Sequence, residues 1–149
     1  PTQLYLSTNA ADYESFIKIN KPKYDDSWER WNRTLDMLKN LDTRTVLRIT
    51  LIRDYNDQKE MIPAFADMFR KASPHFIEIK SYMHIGRSTN RLEHENMLEM
   101  HEVKKFSEQI AKQSKIFSVM DESLVSRISI LQNNERFIDR YIPTYANTN

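Results

Sequence analysis

An α/β fold of about three strand–helix units, with a parallel sheet and a C-terminal β-hairpin, is what the sequence predicts. Two patterns carry that expectation. Apolar residues recur at every second position and then at every third or fourth, in regular succession along the chain. Prolines, serines and asparagines punctuate the joins, and strand–helix alternation of this kind argues for parallel neighbours linked by right-handed crossovers. A chain of 149 residues, 40% of them hydrophobic, is enough for one domain with a real core.

The first strand is Gln3 to Ser7. A short helical stretch around Tyr13, Phe16 and Ile17 ends at Lys21, because Pro22 disfavours a helical backbone in the residue before it. A longer amphipathic helix runs from about Ser27 to Leu41. Trp28, Trp31, Leu35 and Leu38 form its apolar stripe, and Asp26 with Glu29 has the spacing of a capping box. Thr45 to Ile52 is the second strand. The helix after it carries Ile62, Phe65, Ala66 and Phe69 on one face and stops near Ser73 and Pro74. Pro63 fits only in a first turn, which starts this helix near Glu60 and not at Asp57. Phe76 to Lys80 is the third strand. A loop through Asn96 leads to a last helix with Met100, Val103, Phe106 and Ile110 inward. In the tail, Val125 to Leu131 and Arg136 to Ile138 read as a hairpin turning at Asn133 and Asn134. The strand–helix part is therefore 1–115, and 116–149 is a β tail of the same domain.

Composition narrows the function classes. A net charge of +1 does not indicate a globally basic nucleic-acid binder, so any such contact needs a local patch. The absence of cysteine excludes disulfides, thiolate zinc sites and cysteine-ligated clusters within this chain. No run is apolar enough to span a bilayer, which is compatible with a cytoplasmic location. The opening "PTQLYLS" enters a strand at once, and that predicts a fragment or a processed piece.

Side chains alternate across a strand, so each of the three strands divides into two sets. Leu4, Leu6, Leu47, Ile49, Leu51, Ile77 and Ile79 form an apolar set suited to lie under helices. Opposite them stand Gln3, Tyr5 and Ser7, then Val46, Arg48 and Thr50, then Phe76, Glu78 and Lys80. Parallel strands covered on both sides are apolar on both faces, so a shared polar face predicts a barrel-like sheet with helices outside and functional groups inside. Arg48 and Glu78 either bind a ligand there or neutralise one another. Beyond the strand ends lie Thr8 and Asn9, then Arg53 to Asn56, then Ser81, Tyr82 and His84, polar groups that suit a nucleotide-like ligand or plain loop exposure.

Other motifs exclude more than they propose. The four histidines lack zincin spacing, and no metal site is predicted. No glycine-flanked serine is present, and a single glycine, Gly86, cannot build a phosphate loop or a dinucleotide fingerprint. Arg53, Arg87 and Arg91, with Lys80, form a candidate basic rim interleaved with Tyr55, Tyr82 and His84, a composition suited to phosphates and unstacked bases or to a solvated surface.

The segments "PTQLYLSTNA", "INKP", "WERWNRTLDML", "RTVLRITLIRDYN", "FIEIKSYMHIGRS" and "ENMLEMHEV", in this order, resemble the C-terminal half of the radical S-adenosylmethionine (SAM) tRNA 4-demethylwyosine synthases, most like the archaeal type. The resemblance covers about Pro1 to Gln113. It implies a partial (β/α) barrel of six units whose last three strands are the ones above. It also implies an enzyme in which a reduced 4Fe-4S cluster cleaves SAM, and the resulting radical starts condensation of pyruvate carbons with N1-methylguanosine at position 37 of tRNA-Phe. On that likeness Ser7, Asn9 and Asn56, with Arg48 and Thr50 of the polar face, bind the SAM cofactor. Glu78 and Lys80 line the reaction cavity as catalytic residues, and Arg53, Arg87 and Arg91 meet the RNA. The chain departs from the family at Asn9 and Tyr55, where aspartate and tryptophan are usual. The cluster cysteines and the pyruvate-binding lysine belong to the first half of the barrel, so the N-terminal half is an expected partner and this chain alone is expected to be inactive. The rival expectations are a non-catalytic tRNA-binding module and a structural fragment that satisfies its polar face by self-association.

Overall fold

The computed structural model describes residues 1–142. Strands β1 (Gln3–Ser7), β2 (Arg44–Leu51) and β3 (Phe76–Ser81) alternate with helices α1 (Tyr13–Asn20), α2 (Ser27–Leu38), α3 (Ile62–Ala72) and α4 (Met100–Ser114), and β4 (Phe117–Ser123) and β5 (Ile128–Asn133) follow. They form one mixed sheet in the order β1-β2-β3-β5-β4. The first three strands are parallel, and β5 runs antiparallel to both β3 and β4.

The divided faces of the strands set the layering. Leu47, Ile49, Leu51, Ile77 and Ile79 are fully buried beneath Leu35 and Leu38 of α2, Phe65 and Phe69 of α3, and Val103, Phe106 and Ile110 of α4. Phe65 stacks on Phe69 and meets Phe106 edge-on at 5.9 Å, so α3 and α4 share one aromatic seam. Burial of this order is the main driving force for the fold.

Local signals place the helix ends. Asp12 caps α1 by accepting the Ser15 backbone N–H at 2.9 Å, and Lys21 ends it in the left-handed region at φ 46° just before Pro22. Pro63 lies in the first turn of α3, after a 3-10 turn at Lys59–Met61, as its missing N–H requires. The expected cap of α2 is different. Asp26 makes no cap hydrogen bond and instead accepts from Arg30 Nε at 2.8 Å, and α2 stops at Leu38, three residues short of Leu41. The capping box belongs to α4, where the Glu99 N–H donates to Glu102 at 2.8 Å.

The hairpin of the tail is also misplaced in the sequence expectation. It pairs β4 with β5, with the turn at 124–127 and a bulge between Val119 and Asp121. Arg127 supplies the left-handed residue at φ 49° that glycine or asparagine normally fills. Asn133 does not turn a hairpin. It is fully buried, donating to the Pro74 carbonyl at 2.9 Å and accepting from the Glu135 N–H at 2.9 Å, and 136–138 is not a strand. The rest of the expected tail, 143–149, lies outside the described residues.

Candidate functional site

Register brings the polar set together. Ser7 stands opposite Arg48, Arg48 opposite Glu78, and Thr50 opposite Lys80. The Arg48 guanidinium forks onto Glu78, with Nε to Oε1 at 2.8 Å and Nη2 to Oε2 at 3.3 Å, and lies 4.7 Å from the centre of the Tyr5 ring. Glu78 is only 7% exposed, whereas Tyr5 is 44% exposed, so the cluster sits in a hollow open on the β1 side. Partial burial, and then the Glu78 carboxylate, push the Tyr5 phenol above its ordinary range. Lys80, one step further along β3, has no ion-pair partner among the described residues.

Two cavities occupy the ends of this face. The one at the strand C-termini, about 230 Å³, is lined by Asn9, Thr50 and Ile52, by Lys18 and Lys21 of α1, and by Tyr55, Tyr82 and Arg91 of the loops. The other, about 240 Å³, lies at the opposite end between Tyr5, Glu78, Phe76 and Arg44 and the tail residues Arg140 and Ile142.

The C-terminal end is braced by amides. Asn56 is completely buried; its Oδ1 accepts from the Ile52 N–H at 2.7 Å, and its Nδ2 donates to the carbonyls of Asn9 and Thr50, both at 2.9 Å. Asn9 in turn accepts the Thr50 N–H at 3.1 Å. These bonds lock the loops after β1 and β2 to each other and fix Thr50 in the cavity lining. Arg53 is similarly engaged. It forks onto Glu102 at 2.6 and 2.7 Å and donates to the carbonyls of Glu95 and Met97, tying the β2 loop to the start of α4 and holding the Glu102 carboxyl below the usual carboxylate range. Arg87 and Arg91 are exposed on and just after the 3-10 turn Gly86–Asn90, which Gly86 opens at φ +64° with nothing near where a Cβ would stand, so the residue is needed for its backbone and not for space. Tyr82 donates to, or accepts from, His84 Nδ1 at 3.0 Å beside the same cavity.

The opposite end is braced by arginines that the sequence did not single out. Arg44, 6% exposed, donates to the carbonyls of Asp139 and Arg140 at 2.6 Å and of Tyr141 at 3.0 Å. Arg136 donates to Leu38, Leu41 and Ser73 carbonyls, and so satisfies the ends of α2 and α3. Between them His75 is buried, with Nδ1 accepting the Thr45 N–H at 3.1 Å. Burial, and then the charges of Arg136 and Arg44, hold its pKa below the usual 6.5. The only sequence signal for these braces is an arginine at a strand start and another after an Asn-Asn pair.

As a class, this is an α/β segment whose parallel strands carry a polar face between an amide-braced cleft at their C-terminal end and an arginine-braced cleft at the other. Comparison with known proteins gives the family. A model described as "Wyosine base formation" matches residues 71–133. The S-adenosyl-L-methionine-dependent tRNA 4-demethylwyosine synthase of Methanocaldococcus jannaschii is 43% identical over 141 residues, 93% of this chain and 43% of that protein. The enzyme of the same name from Oryza sativa is 37% identical over 138 residues, 91% of this chain and 21% of its own length. A solved structure of TYW1 with a lysine-pyruvate adduct bound superposes with a TM-score of 0.83 at 41% identity, covering 93% of this chain and 43% of that one. The chain belongs to the tRNA 4-demethylwyosine synthase family and corresponds to its C-terminal part. It spans about two-fifths of the length of the archaeal relatives it matches.

Proposed function

We propose that this chain is the C-terminal wall of a radical SAM barrel that makes 4-demethylwyosine from N1-methylguanosine-37 of tRNA-Phe and pyruvate. The observation that carries the reading is the polar face on which neighbouring parallel strands set Arg48 opposite Glu78, with Thr50 opposite Lys80 one register step on. Ser7, Asn9, Arg48 and Thr50 face the cofactor, with Asn56 fixing the backbone that presents them. Glu78 and Lys80 line the reaction cavity, and the two hydrogen bonds from Arg48 hold Glu78 in place. Arg87 and Arg91 meet the RNA, and Arg53 holds the loop behind them.

The residues present fit SAM and do not fit the cluster. A hydroxyl, an amide and two tyrosines around the cleft suit a nucleoside; a chain with no cysteine offers no thiolate for a 4Fe-4S cluster. When bound, SAM supplies the radical that starts the reaction. Cluster ligation, with pyruvate capture, falls to the N-terminal half. The test is a reconstitution. This segment joined to the cysteine-bearing N-terminal half is expected to form 4-demethylwyosine on tRNA, detected by nucleoside mass spectrometry, and the segment alone to form none. Turnover by the segment alone overturns the division of labour. Tight tRNA binding by an assembled protein that yields no product, unchanged by replacing Glu78 and Lys80, favours a non-catalytic RNA module.

A further inference from the structure

The cleft at the strand C-termini has a second kind of lining. Lys18 and Lys21 enter it from the end of α1, and Arg91 faces it from the loop after β3. Every charged residue in that lining is a cation, and none of the three makes an ion pair among the described residues. Lys18 is held in place by the Tyr55 ring, 4.9 Å from its ammonium. Lys21 projects from the left-handed residue that ends α1, whose N–H is tied to the Ile17 carbonyl at 3.2 Å.

Three unpaired cations around one cleft repel each other mildly in water and gain from any oxyanion that enters. A lone carboxylate is satisfied by a single arginine fork. Separated cations from two different segments, around an open cleft with aromatic walls, match instead the spaced phosphates of an unpaired strand. We infer that Lys18 and Lys21 on one side and Arg91 on the other clamp the phosphate backbone of a single-stranded RNA stretch at this cleft. The clamp rests on the function proposed above and adds a wall from α1. Asn9 and Thr50 lie in the same cleft, so the phosphates and the cofactor-facing groups adjoin, as a reaction between a bound cofactor and an RNA base demands. Arg53, forked onto Glu102, stands outside the clamp.

The test uses the complete enzyme containing this segment and a tRNA transcript, with Kd measured over a series of salt concentrations. Each lost phosphate contact is expected to reduce the slope of log K against log salt by about 0.7 for an unpaired strand. The pair Lys18→Ala/Lys21→Ala is therefore expected to reduce it by roughly 1.4, and Arg91→Ala by about 0.7, with melting temperatures unchanged. Lys112→Ala, an exposed lysine on α4, is expected to leave the slope alone. An unchanged slope in the double variant overturns the clamp. So does a double variant whose sole defect is a raised KM for SAM or pyruvate, which gives the cleft to a small carboxylate. If the unaltered enzyme does not bind the transcript, the clamp and the proposed function fall together; if the slope falls as expected but the unaltered enzyme forms no product, only the catalytic reading falls.

Discussion

Arg53 apart, which is forked onto Glu102, the two ends of the same three strands treat cationic side chains in opposite ways. At the N-terminal end, Arg44 and Arg136 give their donors to backbone carbonyls of the tail and of two helix ends. At the C-terminal end, Lys18, Lys21 and Arg91 surround a cleft with no acid among its lining residues. Arg48 lies between them in position and in character, forked onto Glu78 but still partly open to water. The lesson is that residue type does not separate scaffold from site. What separates them is whether the donors are already satisfied inside the protein, because a satisfied buried group is costly to disturb and an unsatisfied exposed one is free to bind.

That contrast can be broken by experiment, most strongly at the braced end. Arg136→Ala strands three carbonyls and is expected to cost about 2–4 kcal/mol in urea unfolding. A loss below 0.5 kcal/mol, the range of surface changes, would abolish the distinction between the two ends. Asn56→Ala removes one acceptor and two donations at a fully buried position, and about 2–3 kcal/mol is expected, read from the same unfolding curves. Glu78→Gln keeps the shape but removes the charge facing Arg48, so about 1 kcal/mol is expected from a double-mutant cycle with Arg48→Ala. In the complete enzyme the same change is expected to lower product formation by more than this stability loss explains.

The smallest effect is a pH dependence. Because the folded-state pKa of His75 lies below 6.5, the unfolded chain takes up a proton that the folded chain refuses. Stability is therefore complete above about pH 6.5 and falls on acidification from there down through the depressed folded value, by no more than about 1.4 kcal/mol per pH unit. Thermal melting of His75→Asn is expected to lack that slope. Burial is the main cause and the charges of Arg136 and Arg44 add to it, so Arg136→Ala should narrow the pH range of that slope without abolishing it.

Much of the architecture was legible in the residues. Strand periodicity set Gln3–Ser7 and the division of β2 and β3 into two faces, and it predicted that Tyr5, Arg48 and Glu78 would meet. It did so because a period of two leaves no freedom about which face a side chain takes. A hairpin in the tail was legible, but its position was not. Its turn lacks glycine and asparagine, and Asn133 of the Asn-Asn pair that imitates a turn is a buried bridge between the β5 end and the segment just before β3. Helix α2 lacked its expected cap because Arg30, one turn on, competes for the Asp26 carboxylate. The arginine braces and the α1 wall of the cleft were invisible for a different reason. They depend on contacts between segments up to about a hundred positions apart, such as Arg136 with Leu38, and no local pattern encodes these.

The sheet has two margins of unlike character. β4 carries a bulge and the acidic residues Asp121 and Glu122, features that discourage a stranger from adding to it. β1, reading QLYLS, has no charge, no bulge and no neighbour on its outer side among the described residues. Left bare, such a margin invites any extended polypeptide to zip along it, including another copy of the same molecule. The segment handled alone should therefore grow more prone to precipitate as its concentration rises, and a lysine in place of Tyr5 should restrain that tendency.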